Sequence, residues 1–181
     1  MSRLTSLAFA AILLSATPAS ANEFTLSSPD VAEGQRLAAR HVFEGFGCKG
    51  GNLSPELTWS GAPKGTKSYA VSVYDPDAPT GSGWWHWNVF NLPSETSTLP
   101  RGATATQGLP KGARQATNDY GAMGFGGACP PPGEVHRYVI TVYALDVKTL
   151  EVPKNASNAL IGFMTRAHSL ASEHITAVFS R

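Results

Sequence analysis

The sequence predicts a mainly β protein, an antiparallel β-sandwich with peripheral α-helices, and three observations lead there. Apolar and β-branched runs of strand length recur between loops rich in Gly and Pro. A helical period appears late in the chain, at residues 157–171. The regular alternation of strand and helix that a parallel sheet requires is not found.

Residues 23–27 read as a short strand with Phe24 and Leu26 on one face. In residues 35–44, Leu37, Ala38, Val42 and Phe43 fit neither period cleanly, so strand and helix both stay open. Residues 69–74 form a clearer strand of β-branched and aromatic residues, closed by Asp75-Pro76. The chain resumes as a strand at residues 85–91. Simple alternation there puts Trp85, Trp87 and Val89 on one face and His86, Asn88 and Phe90 on the other. Residues 94–120 are a long excursion rich in Gly, Thr and Pro, functional or packed down as irregular surface.

Residues 137–145 are apolar on both faces, which predicts a central strand. In the helix at 157–171, Leu160, Ile161, Met164, Ala167, His168 and Ala171 recur every three or four positions, with Asn155 or Ser157 as N-cap. Residues 173–181 end the chain as a strand.

Residues 1–21 read as a secretory signal peptide: Arg3, an apolar run, and Ala19-Ser20-Ala21 where cleavage would follow. The apolar part is too short for a membrane span, so no stable membrane insertion is expected. Residues 22–181 then make one domain with a single core, in the periplasm or outside the cell. Lys and Arg number 14 and Asp and Glu 13 in the whole chain, so loss of Arg3 leaves a formally neutral protein. Without a basic run there is no electrostatic footprint for nucleic acid. Two cysteines, Cys48 and Cys129, reach an oxidising compartment, where an intramolecular disulfide is the default and two buried thiols the alternative.

Two stretches concentrate chemistry. Asp75-Pro76-Asp77-Ala78-Pro79 leads through a Gly-Ser-Gly turn to Trp84-Trp85-His86-Trp87, and Cys129-Pro130-Pro131-Pro132-Gly133 leads to His136-Arg137-Tyr138. Each histidine follows a stiff loop and opens a strand, so two imidazoles can converge on one pocket at little entropic cost. Asp75 can set the tautomer of one of them or favour its charged form. Gly126, Gly127 and Gly133 leave backbone amides open to an anion. Trp84, Trp85 or Tyr138 would pack a substituent, and Asp75 or Asp77 would meet an ammonium group.

The rival uses are weaker. Two histidines and an aspartate could bind zinc, but no ligand spacing typical of a metal site occurs, and no cofactor is expected. Hydrolysis lacks a Gly-x-Ser-x-Gly elbow or a Walker loop, and Cys129 beside His136 imitates a Cys/His pair that the disulfide would preclude. His41, His168 and His174 lie outside both stretches and are expected at the surface or in structural roles.

Both stretches closely resemble, in order and spacing, the two signature motifs of the phosphatidylethanolamine-binding protein family, also called Raf kinase inhibitor proteins. The resemblance extends through Gly47-Cys48, Asn52-Leu53-Ser54-Pro55 and Leu57-Thr58-Trp59, which look like the bacterial branch. It implies a β-sandwich with a small pocket for phosphate, acetate or phosphoryl headgroups and no established catalysis. Carried over by motif position, Asp75, His86, His136 and Tyr138 would line the pocket and Pro130 and Pro131 would shape its rim. Asp77 would brace the Asp-Pro-Asp turn and Arg137 would make a structural pair. Two departures from the eukaryotic pattern are expected: no helix after the last strand, and a second motif shortened before His136.

The expected function is therefore an exported binding protein for a small anionic or zwitterionic ligand such as phosphate or phosphoethanolamine. A homodimer is expected by analogy with bacterial relatives, and a host protein is a further partner if the chain is released. The alternatives are a weak hydrolase or lipid-handling enzyme using the same Asp/His/His set, and an interaction protein with a vestigial pocket. If imidazolium supplies the attraction, anion affinity falls as pH rises through about 6.5. A phosphoethanolamine titration flat across that range would transfer the role to backbone amides.

Overall fold

The computed structural model describes residues 23–104 and 106–181; the expected signal peptide lies outside them. In chain order the strands are β1 (Thr25–Ser27), β2 (Glu44–Gly45), β3 (Cys48–Lys49), β4 (Leu57–Ser60), β5 (Ser68–Asp75), β6 (Trp84–Pro93), β7 (Thr98–Leu99), β8 (Arg114–Gln115) and β9 (Val135–Leu145). Helix α1 (Asn158–Ala167) and strand β10 (Ser169–Ser180) follow. A five-stranded sheet runs β10-β9-β5-β6-β8, a three-stranded sheet runs β1-β4-β7, and β2 and β3 form a hairpin. The pairings between these strands are antiparallel.

β9 is central because both of its edges are taken, by β10 along its full length and by β5 from Val139 to Leu145. Its side chains divide as the sequence expects. Tyr138, Ile140, Val142 and Ala144 enter the main core with Leu57, Trp59 and Leu99 of the small sheet, while Tyr143 and Leu145 face a second cluster around Ile161 of α1. A sheet thus covers one face of the large sheet and a helix the other, and burying Trp59 and Trp87 in the first layer contributes on the order of 2–3 kcal/mol each.

Three expectations change. Helix α1 is capped by Ser157, whose hydroxyl accepts from the Leu160 N–H at 3.2 Å, but it ends at Ala167 rather than Ala171. Pairing of residues 169–180 with β9 satisfies more backbone groups than one further helical turn would, so Ala171 is strand. Residues 35–44 are neither strand nor helix: a 3-10 turn at Ala39–His41 is flanked by single bridges from Arg36 to Val178 and from Val42 to Ala128. The excursion at 94–120 is packed down through β7 and β8.

The third change sets up the site. Along β6 the pairing with β5 steps from Val73–Trp87 to Tyr74–Trp85, so His86 has no opposite residue. This bulge puts His86 on the same side as Trp87 and leaves Trp85 against Gly162 of α1, overturning simple alternation. A second slip near Asn91, whose backbone is left-handed at φ 59°, frees its side chain to accept from the Leu150 N–H.

Cys48 and Cys129 are joined, 81 residues apart in sequence, tying the β2–β3 hairpin to the loop that precedes β9. Closing a loop of that length restricts the unfolded chain by about 4 kcal/mol on the chain-entropy account. Replacing both cysteines with alanine is expected to lower the unfolding free energy in urea by about that much; an unchanged midpoint would show that the tie contributes nothing.

Candidate functional site

Asp75 ends β5 just before two prolines, and its side chain is used twice. Oδ1 accepts from the backbone N–H groups of Asp77 at 2.8 Å and Ala78 at 3.1 Å, fixing the turn. Oδ2 lies 2.7 Å from His136 Nδ1. Asp75 therefore braces the Asp-Pro-Asp turn, the part expected of Asp77. Asp77 instead accepts from the Arg137 backbone N–H at 2.8 Å and from its guanidinium at 2.9 and 2.6 Å, the structural pair expected of Arg137.

His136 is buried near the start of β9, and its Nε2 lies 2.9 Å from Glu134 Oε2. Carboxylates accept at both ring nitrogens, so both carry protons in the charged ring. Burial opposes that charge, but the bonds to Glu134 and Asp75 outweigh it and hold the imidazole above its ordinary range. The Glu134 side chain is 50% exposed and was not picked out in the sequence, where a lone acid after a glycine carries no signal.

His86 is 2% exposed, and its Nδ1 lies 2.7 Å from the Gly126 carbonyl oxygen. A carbonyl only accepts, so Nδ1 carries the proton. Burial pushes this imidazole down, against the Gly126 bond and the charge of Asp75. The two histidines are thus set apart, His136 toward the cation and His86 toward the neutral ring. His86 meets Tyr138 and Tyr120 edge-on, with centroids 5.1 and 5.6 Å away.

These elements enclose a cavity of about 190 Å³, lined by Asp75, Trp84, His86, Tyr120, His136 and Tyr138 and rimmed by Phe46, Pro130 and Pro131. The far-apart motifs do converge. Tyr120 and Phe46 came from no sequence signal: Tyr120 stacks on Phe43 at 3.8 Å and donates its hydroxyl to the Gly127 carbonyl, while Phe46 sits 69% exposed in the β2–β3 turn.

Among the described residues, five buried side-chain polar atoms have no partner, and three of them, Trp84 Nε1, His86 Nε2 and Tyr138 Oη, belong to residues that line this cavity.

Three expectations are corrected. The amides of Gly126, Gly127 and Gly133 are not open: they donate to the His86 carbonyl, Asn52 Oδ1 and the Arg181 carbonyl. Trp85 packs on the helix side and does not reach the cavity. Asp77, engaged by Arg137, is not free for an ammonium group. His41 is structural, buried with Nδ1 donating to the Leu53 carbonyl, whereas His168 pairs with Asp146 near the surface. Among the described residues no group of three His, Cys, Asp or Glu side chains is placed to hold a metal ion.

The family profile described as phosphatidylethanolamine-binding protein matches residues 27–180. The chain belongs to the phosphatidylethanolamine-binding protein family. Two relatives from Escherichia coli K12 are each 52% identical to it: YbcL over 164 residues, 89% of this chain and 90% of YbcL, and YbhB over 156 residues, 86% of this chain and 99% of YbhB. A putative lipoprotein, LppC of Mycobacterium tuberculosis H37Rv, is 38% identical over 78% of this chain and 65% of its own length. The crystal structure of E. coli YbcL, described as a member of the mammalian family, superposes with a TM-score of 0.85 over 88% of this chain and 99% of YbcL. A putative family homologue from Chlamydia trachomatis, 29% identical, gives 0.74 over 88% of this chain and 99% of its own. Residues from both motifs of this family member line the one cavity.

The opposite shifts of the two histidines have opposite effects on stability. His136 holds its proton more tightly folded than unfolded, so its contribution is complete below about pH 6.5 and is lost as pH rises through the folded midpoint. His86 contributes as a neutral ring above about pH 6.5 and loses that contribution as pH falls. Proton NMR of the imidazoles should place the His136 midpoint above about 6.5, and Glu134→Gln should lower it. A His136 midpoint below that of a free imidazole would contradict the double carboxylate contact.

Proposed function

We propose that this protein binds a small ligand through a phosphoryl or carboxyl group seated in the cavity between Asp75, His86 and Tyr138. The observation that carries this is the concentration, on three residues that line the cavity, of buried polar atoms without partners, groups that a ligand's polar atoms can satisfy. Tyr138 Oη and Trp84 Nε1 can both donate to ligand oxygens. The cavity is below the size range of sites for drug-sized molecules, which suits a phosphoryl or carboxyl group with a short substituent. Trp84, Tyr120 and Pro131 supply an apolar wall for that substituent.

The same geometry favours binding over turnover. Both ring nitrogens of His136 are engaged by carboxylates, the Thr80 hydroxyl donates to the Gly83 carbonyl, and Cys129 is in the disulfide. No side chain in the cavity is placed as an activated nucleophile beside a free base. Export across a membrane is part of the proposal, supported by the disulfide and by the lipoprotein name of the LppC relative.

Tyr138→Phe removes one donor with little change of shape. It should weaken methyl phosphate binding, measured by calorimetry, about fivefold or more while leaving the melting temperature close to that of the parent. Equal affinities in the two proteins would remove the pocket from the account. Mass spectrometry of what copurifies with the parent would then identify its substituent.

A further inference from the structure

Resting on the pocket reading above and narrowing it, we propose that the site selects oxyacids that can still carry a proton, a phosphomonoester or a carboxylic acid, and discriminates against phosphodiesters and sulfate. The reason is the tautomer of His86. Its Nδ1 is committed as a donor to the Gly126 carbonyl at 2.7 Å, so in the neutral ring, which its burial favours, Nε2 presents a lone pair that has no partner in the protein. A fully ionised oxyanion offers only lone pairs of its own. Two acceptors facing each other in a buried site repel and leave both unsatisfied. A ligand O–H resolves this by donating to Nε2.

The other two unpartnered atoms complete the match. Tyr138 Oη and Trp84 Nε1 are donors, so the residues that line the cavity carry two unpartnered donors and one unpartnered acceptor. A monoprotonated phosphoryl group, with two bare oxygens and one hydroxyl on a single centre, has the complementary pattern. A lipid phosphodiester headgroup has no such hydroxyl, and neither does sulfate near neutral pH. The shared chemistry therefore points to a soluble monoester or acid rather than to an intact phospholipid.

The charged and titratable groups around the His86 ring bear on where the proton sits. They are Asp75 at the end of β5, His136 and Tyr138 on β9, Tyr120 and Asp119 in the loop after β8, and His41 across a small neighbouring cavity. The Asp75 carboxylate is neutralised by charged His136 at 2.7 Å, so the lining carries no net positive charge to hold a dianion. When a phosphomonoester arrives fully ionised, the complex takes up one proton from solvent. That proton lies between a ligand oxygen and His86 Nε2, and no other bond changes.

The test is calorimetric titration of the full-length mature protein with methyl phosphate, dimethyl phosphate and inorganic sulfate. All three are measured at one pH near 6, where the monoester retains much of its second proton. A single pH holds the charge of His136 constant across the series. Methyl phosphate is expected to bind about tenfold or more tighter than either of the others. Repeating its titration near pH 8 in buffers of different ionisation heat should show uptake of about one proton per ligand, since the free monoester is then ionised.

Equal binding of all three anions overturns the proton requirement and leaves the pocket reading standing. Failure of all three to bind overturns both. A His86→Gln variant, whose amide can donate as well as accept, should narrow the gap between methyl phosphate and sulfate; a gap unchanged in a folded variant also overturns the proposal. If that variant does not fold, the comparison in the parent protein decides.

Discussion

The contact on which the rest of the site depends is the 2.7 Å hydrogen bond from His136 to Asp75. It joins the end of β5 to the start of β9 where the ladder between those strands has stopped, since their pairing reaches only Tyr74 and Val139. Beyond that point no ladder pair joins the two strands, and Asp75, His136 and Tyr138 line the cavity. The same carboxylate caps the Asp77–Ala78 turn through its other oxygen, so one buried acid fixes both the pocket floor and the loop beside it. The Asp77–Arg137 pair repeats the connection on the exposed side.

One cationic ring answers two carboxylates at this contact. His136 sits between Asp75 and Glu134, both of its ring nitrogens are occupied, and its role is to neutralise the acid that shapes the pocket. In the proposed binding mode, direct contact with a ligand falls to uncharged groups: a phenol, an indole N–H and a neutral imidazole. Buried groups of this kind discriminate by the pattern of donors and acceptors more than by net charge. That differs from a pocket that attracts anions through a pair of imidazolium rings, which is what the two motifs suggest when read as a list of charged residues.

Much of this was legible in the sequence because it rests on short-range rules. The alternation of residues 138–145 gave the central strand and both of its faces, and the two Gly/Pro loops marked where strands stop. Two cysteines in a chain whose first residues read as a signal peptide gave the disulfide. What was not legible depends on partners distant in sequence. The bulge that turns His86 to the side of Trp87 arises from pairing with β5, and nothing in residues 84–90 announces it. The three glycine amides were occupied by the His86 carbonyl, Asn52 and Arg181, acceptors that only the folded chain brings near. Tyr120 arrives from an irregular stretch with no periodicity, held by stacking on Phe43. Helix α1 ended early because β9 offered its last residues a better set of hydrogen bonds.

The claim that ties these points together is that the two pocket histidines exist in different protonation states, His136 charged on both nitrogens and His86 neutral with its proton on Nδ1. Nitrogen-15 NMR of the imidazole rings in the ligand-free protein at neutral pH reads this directly. The account requires two protonated-nitrogen signals from His136, and from His86 one protonated Nδ1 and one bare Nε2. A His86 ring protonated on Nε2, alone or together with Nδ1, would contradict it.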